Sequence, residues 1–520
     1  MIEGGDRAFV APAPGAGGVC HDEGVTTTTP SIPGLVPRPK HVELLGAPAS
    51  ADTGAPACES IDVVIADDPA DLGIPADVEL GDWQRAEAHR IVIRSGRARV
   101  TALGPLGELR ARRRLAVLLA CAPEGAPLPD LALVDYPTYR HRGLSLDVVR
   151  HFFGPDTILR VMDLMADLAL NVLHLHLSDD QAWRVEIPAL PELTAVSGAG
   201  AVGGIDATEA AGGRARGFFT LDDLARLEAE ARERGISLVP EFDVPGHTNA
   251  ALHAMPGLNP DRACPPTYEG GEVGFSTLST AAPDTERFLT EVIATLAAHA
   301  ELGLHIGGDE CFSTSRDEYD AIVSMAAERV RAKGRRVIAW QEAADLLKVG
   351  ELVQVWDPRL ESDAVARATH RGVGLLVSPA DHVYLDMKQA ADQRIGLDWM
   401  GVVPLRQALE WEPTGVVAGA APERIEGVEA CLWAETVVTE ADLGQMILPR
   451  LSASAEVAWA GSGVGQWESY RERAAALARL WRVRGWEFFA DEGIDWVDLS
   501  TDPPLTTALS ELPRQRRKMR

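Results

Sequence analysis

From Arg142 onward the chain alternates between short apolar runs and longer stretches in which apolar residues recur every three or four positions. The short runs are Leu144 to Leu146, Val172 to Leu177, Ser237 to Phe242, Gly303 to Gly307, Val337 to Trp340, Leu352 to Trp356, Val373 to Val377 and Val428 to Trp433. These predict strands, and the periodic stretches between them predict helices, the pattern of βα units on a parallel sheet. Thr220 can cap a helix with Asp223 three residues on, and Gly235 closes it. A second helix starts near Pro155 and lines up Ile158, Met162, Met165 and Ala169; a third lines up Phe288, Val292 and Leu296. Eight such units predict an α/β fold of the (β/α)8 TIM-barrel type, with a doubly wound open sheet as the competing topology.

Ahead of the barrel, Pro33 to about Tyr136 carries short alternating runs (Ile61 to Ile65, Arg90 to Ile93) and a helical stretch, Leu106 to Leu119, which predicts a small α+β domain. The expected boundaries are a disordered leader over 1–32, the α+β domain over 33–136, the barrel over 137–495 and a tail over 496–520. The leader is rich in Gly, Ala, Pro and Thr and has no periodic apolar face to offset the entropy of ordering it.

Composition narrows the functional classes. Hydrophobic residues are 46% and charged residues 24% of the 520, both near the globular average. Acidic residues outnumber basic ones 77 to 49, a formal charge of -28 that repels phosphate backbones, so no nucleic-acid partner is expected. No run approaches the roughly 20 apolar residues of a membrane helix. The opening MIEGGDRAFVAPAPGAGGVC lacks the basic start and apolar core of an export signal. The six cysteines form no CxxC pair and read as reduced thiols. No membrane association is expected, and a cytoplasmic protein is, with secretion the alternative. None of these features specifies an oligomeric state.

In a barrel of this kind chemistry sits at the carboxyl ends of the strands. Those ends carry Asp147 and Arg150, Ser178 to Asp180, Glu241, Asp243 and His247, Asp309 and Glu310, Trp340 with Glu342, Trp356 with Asp357, Tyr384 with Asp386, and Trp433 with Glu435. Carboxylates and arginine hold hydroxyls while tryptophan stacks on the apolar face of a ring, so the set points to a sugar pocket. Asp309 and Glu310 follow Gly307-Gly308, and adjacent carboxyls near water-excluding tryptophans raise one another's proton affinity. One of the two can therefore stay protonated near neutral pH. A conventional retaining glycosidase holds its acid and nucleophile about 5 to 5.5 Å apart across the scissile bond, which neighbours on one strand are poorly placed to do. Either another strand supplies the nucleophile or the substrate supplies its own.

The chain resembles the β-N-acetylhexosaminidases of glycoside hydrolase family 20. The resemblance runs through Arg142-Gly143, Asp147-Val148-Val149-Arg150-His151-Phe152, His174-Leu175-His176-Leu177-Ser178-Asp179-Asp180-Gln181, Val239-Pro240-Glu241-Phe242-Asp243-Val244-Pro245-Gly246-His247 and Gly307-Gly308-Asp309-Glu310. It continues in the same order through Trp340-Gln341-Glu342, Tyr384-Leu385-Asp386, Leu432-Trp433-Ala434-Glu435-Thr436 and Pro449-Arg450-Leu451, covering most of 33–490. It implies exo-hydrolysis of terminal N-acetylglucosamine or N-acetylgalactosamine, with retention, by substrate-assisted catalysis through an oxazolinium intermediate and with no cofactor or metal.

On that resemblance Glu310 is expected as general acid and base, Asp309 to orient the acetamido N–H, Tyr384 to donate to the acetamido oxygen, and Asp179 with His247 to support Glu310. Trp340, Trp356 and Trp433 are expected to box the acetamido methyl group, Arg150, Asp386 and Glu435 to hold ring hydroxyls, and Trp399 to belong to the substrate-binding set. The expected partner is a small molecule or oligosaccharide ending in an N-acetylhexosamine. Two features depart from the family's pattern: the basic run Arg110 to Arg114, and Cys264, which stands alone in a loop where secreted relatives often carry a disulfide.

Other readings attach to single motifs. His174 and His176 share one strand face and form an HxH pair of the kind that binds metal in barrel hydrolases, with His247, His305 and Asp309 as conceivable partners; satisfied interior histidines are the simpler account. Gly198 to Gly203 fits GxGxxG but follows no predicted strand and opens no predicted helix, so a surface loop near the pocket is expected rather than a nucleotide site. The basic end, Arg514 to Arg520, reads as a solvated terminus. A sugar-binding protein without catalysis is the third class, and retention of both Asp309 and Glu310 speaks against it.

Overall fold

The computed structural model describes residues 32–46, 60–123, 126, 128–204 and 217–498. Apart from Ile32, the expected leader lies outside the described residues, as does the expected tail beyond residue 498. Trp496, at the start of that tail, packs on Trp481 and Phe488 with ring centroids 5.6 and 5.0 Å away.

The amino-terminal part is a five-stranded sheet made of β1 (His41–Leu44), β2 (Ser60–Ile65), β3 (His89–Arg94), β4 (Arg97–Ala102) and β5 (Leu131–Asp135), in the order β1-β5-β3-β4-β2. Strands β3 and β4 form a tight hairpin across Ser95 and Gly96, both at positive φ (48° and 73°), as a two-residue turn matched to strand twist requires. The helix Pro105–Cys121 lays Ala111, Leu115 and Leu118 on Ile91, Ile93 and Val100. Its basic run, the departure noted in the sequence, has a structural reason. Arg110 donates to Glu87 at 2.8 Å and Arg114 to Asp135 at 2.7 Å, both buried, while Arg113 reaches Asp163 and Asp167 on the first barrel helix at 3.4 and 3.5 Å. Arg142 of the barrel meets the same Glu87 at 2.6 Å, so one carboxylate ties the two parts together.

The barrel strands are β6 (His141–Asp147), β7 (Val172–His176), β8 (Ser237–Glu241), β9 (Leu304–His305), β10 (Val337–Trp340), β11 (Leu352–Val355), β12 (Gly374–Val377) and β13 (Ile425–Leu432). All pair in parallel, and β13 pairs with β6 from Gly427 against His141 to Leu432 against Leu146, which closes the cylinder and removes the open-sheet alternative. Each predicted run overlaps its strand; β6 and β13 begin earlier than predicted, at His141 and Ile425, while Leu177, Phe242, Trp356 and Trp433 lie just past the ends, where the chain leaves the ladder for the site loops.

The helix Leu221–Glu233 has the predicted capping box between Thr220 and Asp223. The helix Pro155–Asp167 is shorter than predicted: Ala169 adopts φ 58°, outside the helix, in the turn that leads into β7. No helix among the described residues is long and apolar enough to cross a membrane.

The GxGxxG string is a packing device. Arg184, fully buried, donates to the carbonyls of Gly198 (3.0 Å), Gly200 (2.5 Å), Val148 (3.0 Å), Val149 (2.5 Å) and Gly217 (2.9 Å). A Cβ on Gly200 would lie 2.0 Å from the Gln181 carbonyl oxygen, so only glycine fits.

Candidate active site

The carboxyl ends of the eight barrel strands surround a cavity of about 220 Å³. Eleven of the twelve residues expected from the sequence line it: Arg150, Asp179, His247, Asp309, Glu310, Trp356, Tyr384, Asp386, Trp399, Trp433 and Glu435. His176 and Asp243 also face it, as do Gly271, Val273 and Leu397 from the loops. Trp340 is placed one layer back. It is fully buried, donates its indole N–H to Glu241 at 3.1 Å, and packs behind Trp433 with ring centroids 6.2 Å apart.

One wall is acidic. Beyond β9 the chain turns through Gly307 and Gly308 at φ 65° and 103°, and a Cβ on Gly307 would fall 1.8 Å from Asp243 Oδ1. The Gly308 N–H donates to that oxygen at 2.9 Å, which fixes the turn that presents Asp309 and Glu310. Glu310 itself sits at φ 48° and His247 at φ 54°, left-handed conformations that cost a non-glycine residue roughly 1–2 kcal/mol each. Burial, and then the neighbouring Asp309 charge, push the Glu310 carboxyl up to about 7. His247 Nε2 lies 3.7 Å from Glu310 and 3.9 Å from Asp309, and its Nδ1 lies 3.2 Å from Asp179. Burial alone would lower this imidazole, but Asp179 outweighs it and raises His247 to about 10. Glu342, just behind, is raised to about 8 by burial and Asp309, and accepts the Trp356 indole N–H at 3.3 Å.

The opposite wall is aromatic. Trp399 meets Trp356 and Tyr384 edge-on at 6.0 Å each, and Tyr384 meets Trp433 edge-on at 6.3 Å. Burial holds the Tyr384 phenol well above its usual range, so it remains a neutral donor. Asp386 and Glu435 close the base of this wall. Burial and then Glu435 raise Asp386 well above the ordinary carboxylate range, and neither Asp386 oxygen makes a full hydrogen bond within the protein. Arg150 bridges the two walls, 2.8 Å from Asp179 and 3.3 Å from Asp147, with its guanidinium 5.2 Å from the Trp433 ring centre.

Under the cavity the barrel interior is an alternating array of imidazoles and carboxylates. His141 meets Glu429 at 2.7 Å, Glu429 meets His174 at 2.9 Å, and His174 lies 3.2 Å from Glu241. Glu241 then meets His176 at 2.6 Å, and His176 meets Asp179 at 2.9 Å. His174 and His176 are thus neighbours of carboxylates on both ring nitrogens, and His305 adds a third imidazole to Glu241 at 2.7 Å. Groups such as His174, Glu241 and His305 have ligand atoms close enough together to hold a metal ion. Their nitrogens and oxygens already face one another at hydrogen-bond distance. Glu429, and Gln354, which donates to it at 2.9 Å, were not singled out from the sequence. The readable signal was a lone charge inside the otherwise apolar run Val428 to Trp433, which demands a buried partner.

Comparison with known proteins agrees with this geometry. The family model described as glycosyl hydrolase family 20, catalytic domain, matches residues 139–462. The chain is 39% identical over 435 residues to a beta-N-acetylhexosaminidase of Cellulomonas fimi, covering 83% of this chain and 85% of that protein. Among solved structures, the beta-N-acetylhexosaminidase of Streptomyces coelicolor A3(2) superposes with a TM-score of 0.77 at 33% identity, covering 89% of this chain and 98% of that one. A mutant Streptomyces plicatus beta-hexosaminidase in complex with product (GlcNAc) gives 0.78 at 33% identity, over 90% and 98%. A barrel closed by β13 against β6, with its carboxylates and tryptophans gathered at the strand ends that the family model spans, places this chain in glycosyl hydrolase family 20.

Proposed function

We propose that the chain is an exo-acting, retaining β-N-acetylhexosaminidase in which the substrate's own acetamido group is the nucleophile. The observation that carries this reading is the state of the carboxyls around the cavity. Asp309 and Glu310 are consecutive and approach from one side, so they cannot straddle a glycosidic bond. Asp179 is engaged by Arg150, His176 and His247. Asp386 and Glu435 both have raised proton affinities, with burial the main cause. Burial disfavours the ionised form of both, and of Asp243, so among the described residues lining the cavity no carboxylate is set up as the nucleophile, and a substrate amide can take that place.

In this reading Glu310, protonated near neutral pH, gives its proton to the glycosidic oxygen as the acetamido oxygen bonds to C1 and the C1–O bond to the leaving group breaks. Asp309 receives the acetamido N–H and balances the charge of the resulting oxazolinium ring. Tyr384 donates to the acetamido oxygen, and Trp356, Trp399 and Trp433 enclose the methyl group and the sugar face. Water, giving a proton to Glu310, then attacks C1 as the bond from C1 to the acetamido oxygen breaks and restores the acetamido group, and two inversions give retention. His247, held by Asp179, orients Glu310.

The test is hydrolysis of chromogenic N-acetylglucosaminide, N-acetylgalactosaminide and plain glucoside side by side. Turnover of at least one acetamido sugar with negligible turnover of the glucoside is expected. Equal turnover of the glucoside removes the self-supplied nucleophile.

A further inference from the structure

Arg450 opens the helix Arg450–Ala460 and is fully buried. Arginine this deep ordinarily faces a carboxylate, because an isolated charge away from water is costly. Arg450 makes no ion pair among the described residues, and burial lowers it to about 9 although Asp386 is near enough to favour its charge. Its donors go to main-chain carbonyls: Leu385 at 2.6 Å, Met387 at 2.7 Å, Val403 at 3.1 Å, Met446 at 3.3 Å and, at the limit of a hydrogen bond, Tyr384 at 3.5 Å.

Three of these carbonyls belong to the segment 384–387, which carries Tyr384 and Asp386 into the cavity, and Val403 ends the loop that carries Trp399. Among the described residues that segment pairs with the barrel through one isolated bridge, Tyr384 to Cys431, and with the loop beyond it through another, Met387 to Leu397, and through no ladder. Without Arg450 the buried Leu385 and Met387 carbonyls would lose these donors, while Asp386 O keeps the Leu397 N–H at 2.8 Å and Tyr384 O the Met387 N–H at 3.4 Å, and the segment would shift to find other donors.

We infer that Arg450, which does not line the cavity, is a positioning residue for the reaction: by gathering the carbonyls of the segment 384–387 it sets where Tyr384 and Asp386 meet the sugar. The inference rests on the role proposed above for Tyr384. Lysine cannot replace Arg450, because an ammonium is a point donor and the carbonyls are spread across both terminal guanidinium nitrogens. A displacement of about 1 Å in a group aimed at reacting atoms can cost roughly a hundredfold in rate.

The experiment compares wild type, Arg450→Lys, Tyr384→Phe and the double variant on N-acetylglucosaminides with good and poor leaving groups, with rates expressed per folded molecule. Arg450→Lys is expected to lower kcat/KM by more than about fivefold, and by the same factor for both leaving groups, because acetamido attack is misaligned while protonation by Glu310 is untouched. The same substitution should cost less in the Tyr384→Phe background than in wild type. A smaller loss, a loss confined to poor leaving groups, or losses that multiply in full each overturn the inference. Where Arg450→Lys does not fold, Arg450→Ala with added guanidinium ion replaces it. Recovery of kcat at concentrations that leave Tm unchanged supports the inference, and a recovered fold without recovered kcat overturns it. Failure of the underlying reading shows separately, as equal wild-type turnover of the plain glucoside.

Discussion

Asp179 and His247 face each other at 3.2 Å, both buried, and the same carboxylate meets the Arg150 guanidinium at 2.8 Å and His176 at 2.9 Å. One anion therefore balances three cations, and its own proton affinity is held well below the carboxylate range against the effect of burial by Arg150 and His247. Asp179→Asn leaves those cations without it, and the expected loss is about 3–5 kcal/mol of stability together with most activity. Denaturant unfolding at pH 7 checks the first, and a variant as stable as wild type would contradict the account of Asp179 as their common partner.

Glu310→Gln removes the proposed proton donor and keeps the shape of the side chain. Hydrolysis of substrates with poor leaving groups should fall by roughly a hundredfold to ten-thousandfold, while an activated aryl leaving group, which departs without a proton, should suffer far less. The measurement is kcat/KM across a series of leaving-group acidities. Equal losses along the series would remove Glu310 from the acid role.

The pH dependence follows from the same carboxyl. In the proposed mechanism the acid form of Glu310 is the active one, and its proton affinity is raised to about 7, so kcat/KM for a poor leaving group should fall as pH rises through that value. Asp309→Asn removes the second cause of the rise after burial, and the falling limb of its residual activity should move to lower pH. Stability obeys the same sign. A carboxyl raised from 4.5 to about 7 contributes stability that is complete below pH 4.5 and lost as pH climbs to about 7. Glu310→Gln, which cannot ionise, should therefore gain in Tm on wild type across that window. A constant Tm difference from pH 4 to pH 8 would refute the partly buried, proton-hungry Glu310.

Trp399 is half exposed at the cavity mouth, so its removal tests sugar contact with little cost to the fold. Trp399→Ala should weaken substrate binding by roughly 0.5–1.5 kcal/mol, about a two- to tenfold rise in KM, with Tm nearly unchanged. An unaltered KM for every N-acetylhexosaminide would take Trp399 out of the substrate-binding set.

Incubation with a strong chelator should leave kcat unchanged, because His174, His176 and His305 are engaged with the carboxylates of Glu429, Glu241 and Asp179. Loss of activity, restored by a divalent metal, would reopen the group His174, Glu241 and His305 as a metal site.

Much of this protein was readable before folding. Each barrel strand announces itself as a short apolar run, and a closed parallel barrel delivers whatever follows those runs to one rim, so eleven of twelve expected residues line one cavity. Trp340 lies deeper than the other expected residues, and its position at the end of β10 does not reveal that its indole turns down to Glu241 behind Trp433. Ala169 continues the helical spacing of Ile158, Met162 and Met165, yet the chain must reverse into β7 there, and the tertiary turn overrides the periodicity. The carbonyl clamps of Arg184 and Arg450 leave no periodic trace, since their partners are backbone atoms brought in by loops.

The order of strands and helices, the identity of the groups at the strand ends and the acidic net charge are properties of neighbours along the chain, and the sequence alone determined them. Which carboxyl keeps its proton and which imidazole is charged depend on distances between residues far apart in the chain, as with His174 and Glu429, 255 positions apart and 2.9 Å from one another. Which backbone carbonyls Arg450 gathers depends likewise on where distant segments come to lie. Only closing the barrel set those distances, because Coulomb and desolvation energies depend on separation in space and on exclusion of water, and neither is written in sequence order.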